Sequence, residues 1–136
     1  MSESSLAQAA RGYPAVEAVL AALEQAGTEP EVTWFDEAVT TAALAAEALG
    51  VAIGQIANSL VFRLDEQPLL ILTSGAHRVD TEWMAAQLGA QLERADKDFV
   101  KTHTGQTIGG VAPLGHPRPI RTLVDVELEK FDSVWA

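Results

Sequence analysis

The sequence predicts a single α+β domain: a curved, mixed and largely antiparallel sheet of about six strands with flanking helices. Two observations carry this. Some segments repeat apolar residues at helical spacing, while others are short, nearly continuous runs of β-branched and aromatic residues. These helix and strand signals alternate without a strict βαβ rhythm, and no repeat or linker-like stretch divides the 136 residues.

Residues 1–12 are small and polar without a period and read as a flexible leader, leaving 13–136 as the domain. Pro14 suits the first turn of a helix, and Val16, Val19, Leu20 and Leu23 make one apolar stripe that stops near Gly27. Val32 to Phe35 reads as a strand. Thr40 or Thr41 caps the alanine-rich helix that ends at Gly50. Gly54 to Ala57 reads as a short turn.

Ser59–Leu64 and Pro68–Thr73 are strands joined by Asp65-Glu66-Gln67. Both are apolar almost throughout, which predicts central strands covered on both faces. Asp80 caps a helix over Thr81–Leu88, with Gly89 beyond it. Gln91–Arg94 is a short strand, Lys97–Lys101 one or two helical turns, Thr122–Val126 a strand, and Ser133–Ala136 the start of another.

Composition narrows the chemistry. There is no cysteine, so disulfide and thiolate chemistry are excluded. No apolar run is long enough to span a bilayer and no secretory signal is visible, so a cytoplasmic location is expected. The net charge of −10 argues against nonspecific binding to DNA. The charge is uneven, however. Residues 94–121 hold Arg94, Lys97, Lys101, Arg118 and Arg121 against only Asp96 and Asp98. That segment is either a solvated face or a phosphate-contacting patch on an acidic body.

His77, His103 and His116 are too scattered for a metal site and show no evident carboxylate pairing. A Ser59, His116 and Asp125 triad can be written down without support from the spacing. Trp34, Trp83 and Trp135 read as core. Gly105, Gly109 and Gly110 do not follow a strand as a dinucleotide fingerprint requires.

Three stretches carry a resemblance. They are Gly54-Gln55-Ile56-Ala57-Asn58-Ser59-Leu60-Val61-Phe62, then Leu70 through Asp80, then Thr104-Gly105-Gln106-Thr107-Ile108-Gly109-Gly110-Val111-Ala112-Pro113-Leu114-Gly115 followed by Leu123-Val124-Asp125. In order and spacing they resemble the YbaK/prolyl-tRNA synthetase-associated domain, a family of small aminoacyl-tRNA editing hydrolases. The glycine-rich stretch is the most specific. The resemblance implies a mixed α/β fold with one pocket, and hydrolysis in trans of the ester between a wrong small amino acid and the 3′ end of a tRNA. Known members clear alanine, cysteine, serine or threonine. No metal or organic cofactor is implied. The implied partners are the acceptor end of an aminoacyl-tRNA and an aminoacyl-tRNA synthetase. Neither a monomer nor a homodimer is favoured. The resemblance implies a further strand and helix beyond the position of Trp135, so either a tail lies outside this sequence or the C-terminus is shortened.

An aminoacyl ester is already activated, so its hydrolysis needs a positioned water and donors aimed at the developing oxyanion. Gly109 and Gly110, with Val111, Ala112 and Pro113, can offer backbone N–H groups as a small anion nest. A plain surface turn is the alternative. Asn58 stands where the resemblance implies a lysine; it can donate and accept hydrogen bonds but carries no charge. Ser59 matches a hydroxyl position beside it, available to the substrate amine or the water. Phe35 and Thr41 fall on implied pocket-wall positions, with core packing as the alternative. Asp125 is assigned to the substrate side, with tethering of the loop or the following turn as its structural role. Lys97, Lys101, Arg118 and Arg121 would contact tRNA phosphates. Two functions follow: a deacylase in which Asn58, Ser59 and the glycine loop face one another, or a non-catalytic tRNA- or synthetase-binding module in which Asn58 marks lost chemistry.

Overall fold

The computed structural model describes residues 13–28, 31–35 and 39–136. The leader expected over residues 1–12 lies outside them. Helix α1 spans Pro14–Gln25 with proline opening its first turn. Its buried Leu20 packs with Val16 and Val32. Helix α2, Ala42–Leu49, starts where Thr41 Oγ1 accepts the Leu44 N–H at 3.1 Å, and it ends at Gly50 in the left-handed conformation. A 3₁₀ turn at Ile53–Gln55 leads into β1, Ala57–Leu64.

β1 pairs along its whole length with β2, Gln67–Ser74, as an antiparallel hairpin. The connection is the two residues Asp65 and Glu66, both at positive φ, 46° and 81°. Positive φ at both residues is what a type I′ hairpin turn requires, and its mirror-image geometry matches the twist of the strands. Asp65 is held there by Gln91, whose N–H donates to Asp65 Oδ1 at 3.1 Å and whose carbonyl accepts the Asp65 N–H at 3.2 Å. Helix α3, Thr81–Leu88, is capped by Asp80; β3 is Leu92–Arg94; helix α4, Lys97–Thr104, is capped by Asp96. After the glycine-rich loop come β4, Arg121–Val124, and a 3₁₀ turn at Val126–Lys130.

The sheet order is β3-β1-β2-β4, with β2 and β4 parallel and the other two pairs antiparallel. The two apolar strands are therefore the central ones, as their composition predicts. On one face Phe62, Leu69 and Ile71 form a core closed by Met84 and Leu88 of α3 and by Leu123. Leu69 is fully buried, and burying such a side chain contributes about 1.5–3 kcal/mol.

Among the described residues the sheet has four strands, not about six. Val32–Phe35 has strand-forming composition but joins no ladder. Strand propensity reflects the fit of a side chain to a pleated, half-buried surface, and Thr33, Trp34 and Phe35 are exposed. Ser133–Ala136 makes one parallel bridge, in which Trp135 donates its N–H to the Gln55 carbonyl and accepts the Ala57 N–H. Two of the tryptophans expected in the core are outside it. Trp83 is 58% exposed because Met84 and Leu88 occupy the inner side of α3, and the exposed Trp34 leans on the Tyr13 ring. Among the described residues no helix is long and apolar enough to cross a membrane.

Candidate functional site

Side chains alternate across a strand, so Asn58, Leu60 and Phe62 share one face of β1, and Ser59 and Val61 share the other. Asn58 is the direct cross-strand partner of Thr73, and Ser59 that of Leu72. The Asn58 face opens, beyond the apolar core, into a cavity of about 510 Å³. Asn58, Thr73, Gly75, His77, Arg78 and Arg94 are among its lining residues. Thr73 is only 4% exposed, and its Oγ1 is buried without a hydrogen-bond partner among the described residues. An unmet buried hydroxyl costs about 1–3 kcal/mol, so this wall favours a polar occupant.

The turn after β2 is shaped by two side chains. Ser74 is fully buried; its hydroxyl donates to the Gly54 carbonyl at 2.9 Å and accepts the Ala76 N–H at 3.2 Å. Gly75 leaves no room for a side chain: a Cβ there would lie 2.5 Å from the Ile53 carbonyl oxygen and 2.9 Å from Ala42 Cβ. Asp125, just beyond β4, ties this turn to the neighbouring edge strand of the sheet. Its Oδ2 accepts the Ser74 N–H at 3.1 Å and faces His77 Nδ1 at 2.7 Å, and its Oδ1 accepts the Glu127 N–H at 2.9 Å. Burial pushes the Asp125 carboxyl up, but the Glu127 amide, the His77 ring and the Ser74 amide together outweigh it and hold it below the ordinary value. Asp125 thus tethers the turn that forms the cavity wall.

The glycine-rich loop is organised from inside by Gln106, which is 2% exposed. Its Oε1 accepts the Ala112 N–H at 2.8 Å and its Nε2 donates to the Leu114 carbonyl at 3.2 Å. The Gly110 N–H is spent on the Thr107 carbonyl at 2.8 Å. Two amides of the expected nest are therefore occupied within the loop. Those of Gly109 and Val111 have no partner among the described residues. A second cavity, about 440 Å³, lies between the alanine-rich side of α1 and the segment Thr104–Gln106 with Gly115–Pro117. It carries fewer groups suited to ester chemistry than the Asn58 cavity, because the one titratable side chain on its wall, His116, spends its Nε2 on the Ala112 carbonyl at 2.9 Å.

Asn58 and the glycine loop do not share a cavity: none of Gly109, Gly110, Val111, Ala112 and Pro113 lines the one at Asn58. Ser59 is on the opposite sheet face, where its Oγ is buried without a partner among the described residues, so it does not join Asn58. The triad of Ser59, His116 and Asp125 is not assembled, since Asp125 pairs with His77 and His116 lies in the other cavity. Thr41 spends its hydroxyl capping α2, and Phe35 is exposed; neither lines the Asn58 cavity. Lys97, Lys101, Arg118 and Arg121 are all exposed, with Lys101 Nζ donating to the Gly105 carbonyl. Arg121 shares a cross-sheet row with Arg94 through Leu69 and Phe62, at the opposite edge.

Three residues of the site, Thr73, His77 and Arg78, carried no assigned role in the sequence, and Arg94 was read only as part of the basic segment 94–121. The His77–Asp125 pair corrects the expectation that no histidine meets a carboxylate; the partners are 48 residues apart in the chain. The signal available was positional, because both fall within the three stretches that carry the resemblance. No group of three metal-ligating side chains occurs among the described residues.

A small α+β domain with a polar cavity at the end of a central hairpin is the class defined by this fold and site. The chain belongs to the aminoacyl-tRNA editing domain family, whose model matches residues 36–136. It is 33% identical over 108 residues to the uncharacterized protein YwhH of Bacillus subtilis, covering 79% of this chain and 69% of that one. It is 30% identical over 104 residues to the proline–tRNA ligase of Elusimicrobium minutum, covering 76% of this chain but 17% of the ligase. The fold superposes with a TM-score of 0.83 and 35% identity on the crystal structure of a candidate trans-editing enzyme for prolyl tRNA synthetase, over 90% of this chain and 78% of that one.

Proposed function

We propose that this domain hydrolyses, in trans, the ester of a small amino acid mischarged onto tRNA, with a prolyl acceptor as the first candidate. The carrying observation is the Asn58–Thr73 pair on the wall of a polar cavity, where one hydroxyl lacks a partner among the described residues. An ester carbonyl and an α-amino group need neutral donors and acceptors of this kind. Arg78 and Arg94 line the same cavity and suit the phosphates of the tRNA terminus. Catalysis rests on holding water and ester together rather than on a charged nucleophile. The free amides of Gly109 and Val111 remain available to the acceptor strand outside the cavity. Family membership and the proline–tRNA ligase relatives support tRNA as the substrate.

The test is release of amino acid by the purified protein from tRNA charged with alanine, cysteine, serine or threonine. Release above the buffer rate for at least one ester is expected; none for any rejects the reading. Asn58 itself favours a second reading, a tRNA- or synthetase-binding module without turnover. Asn58→Lys separates the two. Weakened turnover marks Asn58 as part of a working site, whereas activity created from none marks the natural protein as a binder.

A further inference from the structure

The geometry points to His77 as the proton acceptor for the attacking water, a role that rests on the deacylase reading above. A carboxylate only accepts hydrogen bonds, so the 2.7 Å contact with Asp125 Oδ2 places a proton on His77 Nδ1. That leaves the Nε2 lone pair as the free basic site, with no partner among the described residues. Asp125 is itself fixed by the Ser74 and Glu127 amides, so the ring is oriented by an anchored carboxylate. The His77 side chain is 48% accessible and belongs to the wall that holds Asn58 and Thr73. The other two histidines lack this arrangement. His103 packs against Phe99 in a tilted pair with ring centroids 4.4 Å apart, and His116 spends its Nε2 on the Ala112 carbonyl.

The water oxygen bonds to the ester carbonyl carbon as one of its protons passes to Nε2. The tetrahedral adduct then breaks its bond to the ribose oxygen, which takes that proton back from Nε2. The products are a free amino acid and a free ribose hydroxyl, and His77 returns to its starting form. The imidazolium formed in between faces Asp125. Around it lie Arg78 of the same turn and Arg94 of β3, which oppose the charge, and the Glu127–Lys130 pair beyond Asp125. Asp80 is occupied by the Trp83 N–H at the α3 cap.

The experiment compares kcat, KM and the pH dependence of kcat/KM for the natural protein, His77→Asn and His77→Gln on the panel of mischarged tRNAs. Asparagine can keep an N–H toward Asp125 but has no basic nitrogen, so it rescues a merely structural role. For both variants kcat should fall about 10²–10⁴-fold. KM and the melting temperature should stay near the natural values, and the acidic limb of the pH profile should disappear. Should His77→Asn not fold, His77→Gln carries the comparison. Wild-type kcat, or an intact acidic limb, in a folded variant overturns the role of His77 while leaving the deacylase reading standing. No release by the natural protein from any ester overturns both.

Discussion

Asp125 Oδ2 holds His77 Nδ1 at 2.7 Å while accepting the Ser74 N–H, so one carboxylate oxygen joins the end of β4 to the turn that leaves β2. The arrangement makes the cavity wall dependent on a charge. Because the Asp125 carboxyl is held below its ordinary value of 3.8, its stabilisation is complete above that pH and is lost as pH falls through the lowered value. Asp125→Asn should lower the urea midpoint at neutral pH. It should also remove part of the slope of stability against pH below about 4, measured by urea titration at stepped acid pH.

Gly75 and Gly110 should respond differently to the same substitution. Gly75→Ala drives a Cβ to 2.5 Å from a backbone oxygen and should destabilise by about 1–3 kcal/mol. At Gly110 the nearest atom to a Cβ is the Thr107 carbonyl oxygen at 3.5 Å, an ordinary van der Waals separation, so Gly110→Ala should stay within about 0.5 kcal/mol. Denaturant unfolding of the two variants measures both.

Gln106 holds the glycine-rich loop by its side-chain amide. Gln106→Leu keeps the bulk but strands the Ala112 N–H and the Leu114 carbonyl, which should destabilise by about 1–3 kcal/mol. Hydrogen exchange should show the Ala112 amide becoming less protected while core amides of β1 and β2 change only with global stability.

Arg78 and Arg94 should act through phosphate. Replacing either by serine should raise KM for a mischarged tRNA at fixed kcat. It should also reduce the slope of log affinity against log salt by about 0.7 for each phosphate of the single-stranded terminus that the arginine no longer neutralises. An equal fall in kcat and kcat/KM would instead place them in the transition state.

Much of the fold was legible because it rests on local rules. The caps at Thr41 and Asp80, the stops at Gly50 and Gly89, and the apolar runs of β1 and β2 each have a short-range cause. Val32–Phe35 shows the limit, since composition cannot supply a neighbouring strand to pair with. The site was less legible. Asn58 was readable from its place in the first stretch of resemblance. The alternation that sends Ser59 to the other face was available from the strand assignment itself. The pairing of His77 with Asp125 is tertiary, made by a parallel strand that returns beside β2. The glycine stretch drew attention to its free amides, whereas the buried Gln106 consumes one of them.

The most direct measurement is chemical-shift mapping of the protein with a non-hydrolysable 3′-amide analogue of alanyl-adenosine. Shifts centred on Asn58, Thr73 to Arg78 and Arg94 are expected. Shifts centred on α1 and His116, with none around Asn58, would contradict the placement of the ester in the hairpin cavity.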